Sequence, residues 1–211
     1  MNMLERIEEC GVVAAIRADS SERLIDVAKA LEAGGAKFIE VTMSTPNALK
    51  VIEALADTMG DRIGVGVGTV LDPETARAAI LAGAEYIVAP TLNLKVIEMA
   101  NRYSKLSFPG AFTPTEILTA WEAGADMVKV FPAARLGPKY LKDVHGPLPQ
   151  IKLMPTGGIS IENCGEYIKN GALAVTAATC IAPKKDIAEG NWDSISNLAS
   201  QMIANIQAAR Q

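Results

Sequence analysis

A lysine stands in the middle of an otherwise apolar run, Met127-Val128-Lys129-Val130-Phe131-Pro132. Preceded by the helix-ending Ala123-Gly124-Ala125 and closed by a proline, the run reads as a buried parallel strand, where an ammonium group is costly unless paired or neutralised. Desolvation makes a lysine easier to deprotonate, and a neutral buried amine is a nucleophile that can form an imine with a carbonyl substrate. The plainer alternative is a strand-end lysine whose head reaches water. A second charged residue, Glu40, sits in the comparable run Phe38-Ile39-Glu40-Val41-Thr42. Each group is expensive alone and tolerable beside the other, so the two read either as a structural salt bridge or as a lysine nucleophile with a carboxylate proton shuttle.

Such residues need a scaffold, and a repeat supplies it. The stretches 33–42, 82–90, 123–131 and 170–176 share one plan, a helix stop of small residues followed by an apolar strand. Their spacing leaves about two βα units between each pair, as in an eightfold barrel of about 200 residues. Strands are expected near 12–17, 38–43, 63–69, 86–90, 106–111, 127–132, 152–156 and 174–180. Helical patterns fall at 21–32, 47–59, 73–81, 94–103, 114–122, 161–170 and 192–209, most opened by Ser, Thr, Asp, Asn or an early proline. A further short helix over 1–10 would close the barrel bottom. The reading is an α/β fold, a (β/α)8 TIM barrel with a short N-terminal helix, as one domain over 1–211. An open doubly wound sheet is the alternative, but no Gly-x-Gly-x-x-Gly turn follows the first strand.

In a barrel the active face lies at the C-terminal strand ends. Those ends carry Arg17, then Glu40 and Thr42 with Ser44 and Thr45 just beyond, then Thr69, Thr113, Lys129, and Thr156 before Gly157-Gly158.

Composition sets outer bounds. The 211 residues are 49% hydrophobic, enough for a substantial core, and no Pro/Ser-rich or charged segment marks a linker. A formal charge of -4 gives no reason to expect nucleic acid. No apolar run is long enough to span a bilayer, and the N-terminus lacks the basic start and apolar core of a signal peptide. Cys10, Cys164 and Cys180 show no metal-ligand spacing, which points to a reducing cytoplasm. With His145 the single histidine, serine-type triads and histidine-bound metals are disfavoured, and no metal or cofactor is expected. Chemistry then falls to Lys, Glu, Arg and hydroxyls.

At this point the motifs carry a resemblance. Glu40-Val41-Thr42, Gly66-Val67-Gly68-Thr69-Val70, Pro109-Gly110-Ala111-Phe112-Thr113-Pro114-Thr115-Glu116, Lys129-Val130-Phe131-Pro132-Ala133 and Pro155-Thr156-Gly157-Gly158-Ile159 follow in order and spacing. Together they resemble the 2-keto-3-deoxy-6-phosphogluconate (KDPG) and 4-hydroxy-2-oxoglutarate (KHG) aldolases over essentially the whole chain, down to Glu189-Gly190-Asn191-Trp192-Asp193. The resemblance implies a metal-free class I aldolase on a barrel that assembles as a homotrimer. It implies Lys129 as the Schiff-base lysine and Glu40 as the residue moving protons through a water. Thr69 matches the threonine that holds the pyruvate carboxylate, Thr156, Gly157 and Gly158 lie by the distal end of the substrate, and Phe131 walls the imine. Thr113 joins the expected substrate contacts from its strand end. The expected reaction is reversible cleavage of KDPG or KHG, giving pyruvate with glyceraldehyde 3-phosphate or glyoxylate.

Two departures qualify the match. Many such aldolases place an arginine two residues after the threonine of the second-strand motif, where this chain has Ser44; serine lacks the bidentate charged fork, and Arg17 on the neighbouring strand is the substitute anion binder, or else a solvent-exposed arginine. The Gly-rich phosphate turn with serine is here Val175-Thr176-Ala177-Ala178-Thr179-Cys180. A methyl at Ala178 would obstruct close backbone approach and disfavour positive φ, whereas Thr179 keeps a hydroxyl. An aldolase for unphosphorylated 2-keto-3-deoxy acids, and a barrel that binds sugar acids without turnover, therefore stay open; a metal-dependent epimerase barrel is poorly served by one histidine. Cys180 reads as a small core residue, His145 as part of a connection at the barrel bottom, and Lys184-Lys185 as a solvated pair.

Overall fold

Helix starts in this chain are written by side chains that replace missing backbone acceptors. The computed structural model describes residues 1–17 and 23–211. In it Asn2 and Glu5 form a reciprocal capping box on α1 (Met3–Cys10), and Thr113 and Glu116 form another on α6 (Pro114–Glu122). Asp72 caps α4 (Pro73–Leu81), Asn93 caps α5 (Leu94–Arg102) and Asn191 caps α10 (Trp192–Ala209). The remaining helices are α2 (Leu24–Ala33), α3 (Ala48–Met59), α7 (Lys139–His145), α8 (Cys164–Lys169) and α9 (Lys184–Glu189). The expected helix start at Ser21 lies outside the described residues. The short helices α7 and α9, and a 3₁₀ turn over Ala133–Arg135, were not expected, because segments of three to seven residues carry too little apolar periodicity to read. His145 is accordingly the last residue of α7, its Nε2 2.9 Å from the Ile151 carbonyl oxygen.

Between the helices run β1 (Val12–Ile16), β2 (Phe38–Thr42), β3 (Gly64–Gly68), β4 (Tyr86–Val88), β5 (Leu106–Phe108), β6 (Gly110–Ala111), β7 (Val128–Val130), β8 (Leu153–Pro155) and β9 (Val175–Ala177). The expected strand over 106–111 is split at Pro109, which has no N–H to give a ladder. The last strand stops three residues short of 180 because Ile181 and Ala182 turn back to the Ala178 carbonyl.

Strands pair in parallel in the orders β5-β4-β3-β2-β1-β9 and β6-β7-β8. Isolated parallel bridges, Leu153 to Ala172 and Thr156 to Thr176, tie the β8 region to the β9 region. The architecture is an α/β fold with a curled sheet of parallel strands, on whose flanks α10 packs against α2 and α8. Among the described residues no helix is long and apolar enough to cross a membrane.

The concave interior has an aromatic floor. Phe38 meets Tyr86 edge-on at 6.4 Å between centroids, and Tyr86 stacks on Phe108 at 5.5 Å. Arg6 of α1 lies 5.6 Å from the Phe38 centroid and covers the floor from below. Above this apolar layer the strands deliver their polar residues.

Candidate active site

Parallel strands end their ladders together, so the residues just past each strand crowd around one opening. Here they surround a cavity of about 490 Å³. Arg17 follows β1, Thr69 follows β3, Phe131 follows β7, Thr156 with Gly157 and Gly158 follows β8, and Thr179 follows β9; all line it, as do Glu40 and Lys129 from within their strands.

Period-two alternation places the two charged groups inward. Lys129 lies between Val128 and Val130, pairs with Gly110 on one side and Met154 on the other, and is only 6% exposed. Glu40 pairs with Ala15 and Gly66 and is 2% exposed. The structural salt bridge, the alternative reading of the pair, is not formed: neither residue has an ion-pair partner among the described residues, and Glu40 Oε2 is buried without a hydrogen bond. Both line the same cavity, which has space for a reacting molecule. Burial pushes the Glu40 carboxyl above the usual carboxylate range, partly offset by the positive charges of Lys129 and Arg17. Lys129 Nζ lies 5.2 Å from the centre of the Phe131 ring, which stands as a wall beside it.

Thr69 is held at φ 62, a left-handed conformation that a β-branched residue rarely adopts. Gly157 and Gly158 take φ 89 and 78, which suits glycine alone at two successive positions. Their carbonyls accept from Ala134 N–H and Asn163 Nδ2. Among the described residues the N–H groups of Gly158 and Thr179 find no acceptor. Ala178 is not at positive φ, so the methyl expected to strain that turn is accommodated in ordinary backbone.

Two expected substrate contacts lie elsewhere. Thr113 is committed to its helix cap, with its hydroxyl donating to Glu116 at 2.9 Å, and does not line the cavity. A strand-end position alone could not separate a capping threonine from a binding one. Ser44 faces a neighbouring depression of about 280 Å³ and shares a hydrogen bond of 3.0 Å with Thr42, so it is one residue removed from the cavity. Thr42 and Thr176 line the cavity instead. Thr176 was legible only through its alternation with Ala174 and Ala178. Cys180 also lines the wall, half-buried, its thiol pushed up by burial. No group of three or more His, Cys, Asp or Glu residues among those described is placed to hold a metal ion.

A fold of parallel strands with a buried lysine and carboxylate at one mouth suits covalent carbonyl chemistry, and comparison with known proteins agrees. The family model for KDPG and KHG aldolase matches residues 3–198. The 2-dehydro-3-deoxy-phosphogluconate aldolase of Pseudomonas aeruginosa is 31% identical over 204 residues, 96% of this chain and 92% of its own. The KHG/KDPG aldolase of Escherichia coli is 33% identical over 193 residues, 91% and 90% of the two chains. A crystal structure of KDPG aldolase from Legionella pneumophila, with pyruvate captured at low pH as a covalent carbinolamine intermediate, superposes with a TM-score of 0.87 at 30% identity, over 94% of this chain and 97% of that one. The chain belongs to the KDPG and KHG aldolase family.

Proposed function

We propose that this chain is a Schiff-base aldolase, a lyase that reversibly cleaves KDPG, KHG or both to pyruvate and an aldehyde. The observation that carries the proposal is the buried pair Glu40 and Lys129, facing one cavity at the strand ends without pairing with each other.

Lys129 Nζ, once deprotonated, adds to C2 of a 2-keto-4-hydroxy acid, and loss of water from the carbinolamine gives an iminium. The iminium accepts the electron pair of the C3–C4 bond as that bond breaks, while the C4 hydroxyl proton passes to Glu40. The aldehyde leaves and a pyruvate enamine remains. Protonated Glu40 returns its proton to C3, and water releases pyruvate from Lys129. A carboxyl whose proton affinity is raised by burial suits both halves of that exchange. Thr69 and Arg17 hold the pyruvate carboxylate, and Phe131 covers the imine.

The unpaired N–H groups of Gly158 and Thr179 favour a substrate with a phosphate at its distal end over an unphosphorylated one. On this reading the two sheets, joined through Pro109 and the bridges from β8 to β9, close as one eight-stranded (β/α)8 barrel forming a single domain over 1–211. The exposed side chains of Leu71, Leu94 and Phe112 give a homotrimer an apolar contact surface, and three free cysteines accord with a cytoplasmic setting.

Borohydride reduction with pyruvate, followed by peptide mass mapping, tests the mechanism. One pyruvyl adduct per chain is expected, on Lys129, and absent from Lys129→Ala. An adduct on another lysine, or none at saturating pyruvate, overturns it.

A further inference from the structure

Strand β3 reads Gly64-Val65-Gly66-Val67-Gly68, and its three glycines turn toward the concave interior. None of the three takes a positive φ, so the backbone there would accept any L-residue and the glycines answer to space rather than to conformation. A Cβ built on Gly64 would come within 2.6 Å of the Phe38 ring. One on Gly66 would run into the Tyr86 ring, and one on Gly68 would overlap Oε1 of Glu40 and stand 2.8 Å from its Cγ. The register explains the last overlap: Glu40 pairs with Gly66 and Thr42 with Gly68, so the long Glu40 side chain, leaning along its strand, lies over the next inward position of β3.

Of the three occupants only Glu40 carries chemistry, and no polar group holds it. Its carboxylate makes no hydrogen bond and no ion pair among the described residues, and Oε2 is buried. A side chain in that state is located by packing, and the surface it packs on is the bare Cα of Gly68. We infer that Gly68 is a positioning residue of the aldol reaction, its missing side chain being the slot that aims the Glu40 carboxylate at the carbons held on Lys129. The inference rests on the aldolase reading above. A methyl at 68 would displace the carboxylate by on the order of 1 Å, and a misplacement of that size costs a reaction about 10²-fold.

The test separates imine formation from proton transfer. Gly68→Ala should still give the borohydride-trapped pyruvate adduct on Lys129, while deuterium enters the pyruvate methyl group about 100-fold more slowly than in wild type. Glu40→Asp in the Gly68→Ala background, shorter by one methylene, should recover about tenfold or more of the lost exchange, although Glu40→Asp alone is slower than wild type. If adduct and exchange fall together and aspartate rescues neither, Gly68 is merely structural and the inference is overturned. Should Gly68→Ala accumulate only as insoluble protein, the double variant Gly68→Ala/Glu40→Ala decides: recovery of soluble folded chain supports the slot, and continued insolubility overturns it. A wild-type chain without the Lys129 adduct overturns the aldolase reading itself, whereas a wild-type adduct with unaltered exchange in Gly68→Ala overturns only the slot.

Discussion

Replacing Thr69 by glycine should stabilise the chain while weakening its hold on pyruvate. The residue sits at φ 62, where an L-residue costs about 1–2 kcal/mol relative to ordinary backbone. Glycine removes that cost but loses about 0.5–1 kcal/mol through the freedom of its unfolded chain, leaving a net gain on the order of 0.5–1 kcal/mol. Thr69 is half-buried, and its hydroxyl has no partner among the described residues, so little else is lost within the protein. For a chain of 211 residues the unfolding entropy is on the order of 0.4 kcal/mol per kelvin, so the gain should appear as a Tm rise of about 1–2 °C. Loss of a hydroxyl that donates to a carboxylate should raise the KM for pyruvate in the exchange reaction by about ten- to a hundredfold. Thr69→Ala is the control, since it loses the hydroxyl and keeps the unfavourable φ. Denaturant melts and methyl-exchange kinetics on the three proteins read both effects. Equal stability of the glycine and alanine variants would refute the strain argument, and an unchanged KM would remove Thr69 from the carboxylate site.

Glu40→Gln should retain the Lys129 adduct but slow methyl exchange by roughly 10² to 10⁴, and exchange at the wild-type rate would mean another group moves the proton. Because burial raises the Glu40 pKa in the folded state, its ionised form costs stability above the unfolded carboxyl pKa, and the cost fades as acid protonates it. Glu40→Gln should therefore gain more stability over wild type at neutral pH than near pH 4, as melts at the two values (on the order of 7 and 4) would show; the reverse trend contradicts the burial argument. Arg17→Ala should raise the KM for pyruvate about ten- to a hundredfold, whereas a loss confined to phosphorylated substrate would move Arg17 to the distal end. Thr113→Ala should cost about 0.5–2 kcal/mol in denaturant melts through its lost helix cap and leave pyruvate exchange unchanged; altered exchange would return Thr113 to the site.

The sequence by itself determined the alternation of apolar strands and capped helices, and with it the parallel α/β class. A charged residue in an apolar strand is conspicuous without coordinates, since burying it needs a reason, and this made Glu40 and Lys129 visible. The glycine pair after β8 was equally legible, because two successive positive φ values admit little else. Only the tertiary structure decided which polar residues at strand ends meet. Thr113 and Thr69 look alike in the chain, yet one caps a helix and the other lines the cavity; the difference is set by where each backbone turns after its strand. Whether Glu40 and Lys129 pair or stand apart depends on side-chain reach across strands that are not neighbours. The role of β3 was hidden for the same reason: a glycine at 68 records an absence, and what fills that absence comes from the strand beside it.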